Sequence, residues 1–492
     1  MKKKNIYNII SLSLLTLLLG SCKKYFEVNP DMRTELDTPE KVGQLLVTAY
    51  PTSDYFLFAE LASDNSADKG PGDFSFNDIA RNSYFWNEVT QVSDSYSPNT
   101  YWLDMYRAIA AANHAIEAVD ENNFGTKGQQ YKGEALLTRA YAHHMLVSLF
   151  SKTYQINGDN SSPGIPYLTD PEKTAFKNYE RGTVASVYEH IEKDLLEGLR
   201  LIKGISYKSP KFHFNEQAAN AFAARFYLFK GDYNKVIQYA SAIFPENNFK
   251  QNLRPIAGAL KAAGTNSPAL FTSSQQNFNL LLASVYSNFS NIAAGCRYGA
   301  GSSTEQIISG NTVAGKPFYQ YYTRLGGNPN KLMVGKYPTF SYRTSTFTTD
   351  WTYYTIQCLF SADEALMNRA EAYINTGDYA SALKDLNDFA EVRIDGYNVV
   401  LHGITEAKVL SFYNTTDIKD GLMKTLLDFK QKAFAHEGIR WFDINRRGIE
   451  ISHRYLDYKW DTTYDVLKRE DLRRVFQLPE SAMLSGLTKN PR

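Results

Sequence analysis

The sequence predicts a mostly α-helical protein, with paired helices as a scaffold and loop-rich stretches as the candidate binding surface. Three observations lead to this. Apolar residues recur at three- and four-residue intervals over 102–119, 130–150 and 183–202. Two later segments, 224–233 and 370–379, repeat one spacing of alanine, tyrosine and a closing Gly-Asp-Tyr. Between those segments, residues 250–360 lose the helical period and fill with Gly, Ser, Asn, Thr and Tyr.

Composition narrows the class. A chain of 492 residues with 43% hydrophobic and 21% charged residues is globular rather than disordered. The 53 Lys and Arg balance 52 Asp and Glu, so no net field attracts nucleic acid or an anionic membrane. Three cysteines cannot staple a scaffold of this size. The 34 Tyr, 29 Phe and 5 Trp make 14% of the chain aromatic, and each uncovered ring is a flat surface.

The N-terminus reads as an address. Lys2, Lys3 and Lys4 precede an apolar run from Ile9 to Leu19, too short to span about 30 Å of hydrocarbon. Residues 1–21 are therefore expected to be a signal peptide. Leu19-Gly20-Ser21-Cys22 has the pattern of a bacterial lipobox, in which small residues precede a cysteine thiol that takes the lipid. Removing residues 1–21 deletes three lysines and no acid, moving the formal charge from +1 to −2. Residues 22–492 then form the expected single domain, with Cys296 and Cys358 left as a pair or as two free thiols.

Along that domain, Pro39 and a cap at Asp37 or Thr38 predict a helix over 38–50. Residues 63–100, dense in Asp, Asn, Ser, Gly and Pro, predict a long irregular loop. The helices over 102–119 and 130–150 follow. A turn-rich break at 157–164 leads to 183–202, where Val184, Val187, Ile191, Leu195, Leu199 and Ile202 share one face. In the repeated segments, Ala224, Tyr227 and Gly231 match Ala370, Tyr373 and Gly377, with Asp232 and Asp378 placed to cap the next helix. This spacing resembles the tetratricopeptide pattern. A β-like run covers 353–359, a second loop-rich stretch 394–420, and a last helix 423–437.

Taken together, these elements resemble the SusD/RagB family of outer-membrane nutrient-binding lipoproteins. The matching residues are Cys22 in its lipobox, Trp102-x-x-x-Tyr106-x-x-Ile109-x-x-x-Asn113, and Arg139-Ala140 ahead of Gly164-Ile165-Pro166-Tyr167. The Gly-Asp-Tyr turns, Glu437–Asp443, Phe476–Glu480 and Thr488–Pro491 complete the series. The resemblance implies a SusD-like fold with four tetratricopeptide-like helix pairs and an irregular ligand region. It also implies a lipid anchor at the outer membrane facing the exterior, a TonB-dependent transporter as partner, and an oligosaccharide, or in some members a peptide, as ligand. Lys23 and Lys24 follow Cys22 without an early acidic pair, so exposure at the cell exterior rests on the resemblance alone.

A glycan site needs aromatic faces for sugar C–H groups and directional polar partners for hydroxyls. Two stretches offer both. Residues 77–87 contain Arg81, Asn82, Tyr84, Phe85, Trp86 and Asn87, and the middle insert contains Tyr298, Trp351 and Tyr353. Trp86, Tyr298 and Trp351 are the leading stacking candidates, with Tyr84, Asn82, Arg81 and Tyr353 beside them; packing beneath a loop is the alternative for each ring. Trp102 and Trp441 are assigned to the core, and Trp460 is left open. Arg440, Asp443, Arg446 and Arg447 are read as an ion network tying the last helix to the body.

Catalytic and metal patterns are weak. His143 and His144 are adjacent on a helix, about 100° apart, unlike an i,i+4 metal pair. Asp64, Asp68 and Asp73 could gather a calcium ion, but a solvated acidic loop fits their spacing better. No metalloprotease, hydrolase, phosphate-loop or dithiol motif occurs. The expectation is a non-catalytic protein without a cofactor, with peptide binding as the alternative. A glycoside hydrolase is the remaining reading, because it needs only two carboxylates.

Overall fold

The long helices begin where side chains satisfy their first amides. Ser97 accepts the Thr100 amide at 3.1 Å and Pro98 occupies the first turn of Pro98–Glu121. Gly125–Phe150 follows. Thr183 and Ser186 form a reciprocal capping box at the start of Val184–Leu201. All three predicted periodic stretches are therefore helices. The computed structural model describes residues 35–92, 94, 96–172, 177–343, 345 and 351–492. The expected signal peptide over 1–21 and Cys22 lie outside the described residues. The compact unit considered below runs from Pro39 to Arg492.

Two glycines set how closely helices Gly125–Phe150 and Val184–Leu201 pack. A Cβ on Gly198 would come within 2.7 Å of Leu137 and 3.0 Å of the Gly133 carbonyl oxygen, and one on Gly133 within 2.9 Å of the Ile202 amide. Arg139 bridges the same helices, with Nε and Nη2 donating to the Asp194 carboxylate at 2.7 and 2.8 Å.

The repeated segments form two matching helix pairs. Glu216–Lys230 ends at Gly231 (φ +81°), and Ala362–Thr376 ends at Gly377 (φ +84°), where a left-handed residue stops the helix. Asp232 then accepts the Lys235 amide to start Tyr233–Ile243, and Asp378 accepts the Ser381 amide to start Tyr379–Glu391. Arg225 ties the two pairs together through a bidentate bond to Glu364 at 2.6 Å. Around it, Tyr141, Phe214, Phe222 and Phe360 meet edge to face or tilted, with centroids 5.6–6.3 Å apart.

The loop-rich regions hold more structure than their composition suggests. Within 63–100, Asn77 accepts the Ala80 amide at 2.8 Å and starts a short helix, Asp78–Tyr84, so this stretch is not a continuous loop. Within 394–420, Asn398 and Thr405 cap Val399–His402 and Glu406–Tyr413. The middle insert carries a three-stranded antiparallel sheet with Thr352–Ser361 at its centre, flanked by Asn279–Tyr286 and Phe340–Tyr342. The predicted run over 353–359 is that central strand. Cys296 and Cys358 are both free thiols.

The last helical region is Ile418–Ala433, started by Asp417, followed by the separate Ile439–Arg447. The ion network predicted there is present and buried. Lys430 and Arg446 both reach Asp443, at 2.7 and 2.9 Å, and Arg446 reaches Glu371 at 3.0 Å. Burial pushes both carboxyls up, but the Arg446 and Lys430 charges outweigh it and hold Glu371 and Asp443 below the usual range. Arg440 instead grips Asp64 with two bonds of 2.7 and 2.8 Å. An antiparallel hairpin, Ile451–Leu456 with Thr462–Leu467, follows and was not anticipated. Its inward positions include His453, so the apolar alternation that signals a strand is broken.

Candidate functional site

Asp68 is the anchor of the site. Its carboxylate accepts from Arg297 Nε and Nη2 at 2.7 and 2.8 Å, from the Gly70 amide at 2.9 Å and from the Leu456 amide at 2.7 Å. Backbone pairing sets Asp68 opposite Tyr298. One buried carboxylate thus joins residues 67–70, the Arg297 segment and the hairpin. Lys69, next in sequence, buries its stem and donates Nζ to the carbonyls of Ala294 at 2.7 Å, Ala300 at 3.3 Å and Ala293 at 3.4 Å. Among the described residues it has no carboxylate partner, and burial lowers its ammonium to about 7.

The following residues 71–87, the Arg297 segment and the hairpin enclose an open cleft of about 670 Å³. Its aromatic lining is Phe74, Phe76, Phe85, Tyr298, Tyr455 and Tyr458. Phe76 and Tyr458 are 76% and 86% exposed, so their faces are available. Tyr298 is largely covered and presents only part of its ring; burial pushes its phenol up. Phe85 meets Tyr298 edge-on at 5.1 Å, and the Arg297 guanidinium lies 5.2 Å from both the Tyr298 and Tyr455 rings. Polar groups on the same walls come from Ser75, Asn77, Arg81, Asn87, Arg297 and Asp465. Asp465 is held by Arg473 at 2.8 and 3.1 Å. Cys296 also lines the cleft, and burial raises its thiol to about 11, which keeps it protonated and unreactive.

The predicted site residues divide into three groups. Arg81 and Tyr298 line the cleft, and Asn82, next to Arg81 on the same helix, is half-buried and does not line it. Trp86 and Tyr84 are corrections, because both are buried supports rather than stacking platforms. Trp86 is 2% exposed, donates Nε1 to the Ala62 carbonyl at 2.8 Å, and stacks on His453 at 4.4 Å. Tyr84 stacks on the opposite side of His453 at 4.1 Å, and its hydroxyl accepts the Asp68 amide and donates to the Arg454 carbonyl, both at 2.9 Å. Burial is the physical reason: a covered ring has no free face for a sugar. Tyr353 belongs to the sheet in the middle insert, Trp351 precedes its central strand, and neither lines this cleft. Trp351 is exposed beside the Arg343 guanidinium at 4.7 Å, and Tyr353 pairs with Ser341.

The hairpin contribution was missed. Tyr455, Tyr458 and Asp465 line the cleft, and Trp460 lies over Gly70, where a Cβ would come within 2.4 Å of its ring. The available signal was the density of rings over 455–464. Asp64, Asp68 and Asp73 do not gather. Asp64 pairs with Arg440 and Asp68 with Arg297, and Asp73 is exposed. Among the described residues, no group of three or more His, Cys, Asp or Glu could hold a metal ion. Trp102 and Trp441 are in the core as predicted, and His143 and His144 are buried.

Paired helices carrying an aromatic cleft on irregular segments make up a SusD-like fold. The SusD-like family model, described as "Starch-binding associating with outer membrane", matches residues 24–228. A SusD superfamily protein from Bacteroides thetaiotaomicron shares the fold at TM-score 0.66 and 18% identity, over 92% of this chain and all of that one. A putative sugar binding protein from Bacteroides vulgatus aligns at TM-score 0.63 and 19% identity, over 93% and 99% of the two chains. A laminarin binding SusD-like protein aligns at TM-score 0.59 and 15% identity, over 92% and 99%. No curated protein matches by sequence. Among the described residues, no helix is long and apolar enough to cross a membrane.

Proposed function

We propose that this protein binds oligosaccharides without chemically altering them. It does so as a lipoprotein anchored through Cys22 at the exterior of the outer membrane, and it passes its ligand to a TonB-dependent transporter. The observation that carries the binding reading is the cleft, where exposed Phe76 and Tyr458 and half-buried Phe85 and Tyr455 stand beside Asn87, Arg81 and Arg297. Sugar C–H faces lie on such rings while hydroxyls take the amide and guanidinium groups. The sugar-binding and laminarin-binding descriptions of structural relatives support the same ligand class. Anchoring rests on the lipobox and on the family description of outer-membrane association, and delivery on the resemblance to the SusD/RagB family alone.

Titration calorimetry of the purified protein against a panel of neutral and acidic oligosaccharides tests the binding step. Saturable binding of at least one glycan, without product on prolonged incubation, is expected. Binding of peptides and of no glycan would contradict it.

A further inference from the structure

The charges around the cleft are unequal in how they are spent. Asp465 is held by two Arg473 nitrogens, and Arg297 is matched by Asp68. Arg81 is the remaining charged group on the lining, and among the described residues its guanidinium has no ion pair or side-chain hydrogen bond. It is exposed, on the last turn of Asp78–Tyr84, and its charge reaches the Tyr298 phenol and opposes the upward push of burial there. Lys331 stands near the Phe74 ring, with Nζ 5.6 Å from its centroid, but does not line the cleft. Acids do occur on these elements, at Asp73, Asp78, Asp457 and Asp461, but none lines the cleft. Asp457 is further committed to the Lys459 and Asp461 amides.

A free guanidinium beside aromatic rings suits a sugar that carries an oxyanion, because a charge-assisted pair is stronger than a neutral hydrogen bond. Resting on the glycan-binding reading above, we propose that the cleft takes an acidic oligosaccharide, and that Arg81 meets its carboxylate or sulfate.

The test compares oligogalacturonate with its fully methyl-esterified form, and a sulfated galactan oligosaccharide with its desulfated form, by calorimetry on the purified protein and on R81Q. At least one acidic member is expected to bind roughly tenfold more tightly than its neutral counterpart. That advantage should disappear in R81Q, leaving the weaker neutral affinity, and should shrink as salt rises from 0.05 to about 0.5 M. Which pair shows the advantage identifies carboxylate or sulfate as the substituent. Equal or tighter binding of the neutral members, or an acidic preference that survives in R81Q, would overturn the assignment while leaving glycan binding intact. Failure of every saccharide would overturn both.

Discussion

His453 shows how one residue can organise a site without touching a ligand. Its ring lies between Tyr84 at 4.1 Å and Trp86 at 4.4 Å, and its nitrogens face the Tyr84 and Ser63 carbonyls at 2.6 and 2.9 Å. Trp86, a leading stacking candidate in the sequence, and Tyr84 beside it are therefore the walls of a buried sandwich that fixes the hairpin against the cleft. Trp86→Ala would remove a large buried ring and the bond to Ala62. It should cost about 3–5 kcal/mol of stability, seen as a lower midpoint in chemical denaturation. Composition places rings near Arg81 but says nothing about which face each turns to water. Trp86 shows the limit most clearly: its left-handed backbone (φ +53°) turns the ring inward, and no neighbouring residue type announces that turn.

At the scale of elements, legibility follows the source of each signal. The helix pairs were readable because Gly231, Gly377, Asp232 and Asp378 do local jobs that only a few residue types can do. The hairpin was not, since its inward positions depend on partners hundreds of residues away: the Leu456 amide on Asp68, and His453 between Tyr84 and Trp86. The repeated turns also offer a graded prediction. Gly377 has open space around its missing Cβ, so G377A should cost only the left-handed backbone penalty of about 1–2 kcal/mol. G231A should cost more, because its Cβ would also meet Ile156 within 2.7 Å. Thermal denaturation of the two variants should rank them in that order.

For the whole molecule, the buried core carries a pH dependence. His143, His144 and His436 are each lowered to about 3 by burial, and the ring nitrogens of His144 have no hydrogen-bond partner among the described residues. The unfolded chain protonates these groups near 6.5, well before the folded protein does. The stability these three histidines contribute is therefore full above about 6.5 and falls as pH drops from there toward 3. Replacing His144 with Phe, among Phe222, Phe226 and Phe229, should flatten the acid side of a stability–pH curve.

Sugar rings are expected to lie against the uncovered rings of one cleft, whose segments Asp68 holds together. Tyr458 is the cleanest probe, because its exposed ring can be removed without disturbing the core. The measurement is a calorimetric titration of the wild-type protein and Tyr458→Ala with the tightest-binding oligosaccharide. The expected result is affinity weakened on the order of two- to tenfold in the variant, with an unchanged melting temperature. Equal affinity in the two proteins, together with a bound oligosaccharide seen elsewhere on the surface in a crystal structure, would contradict it.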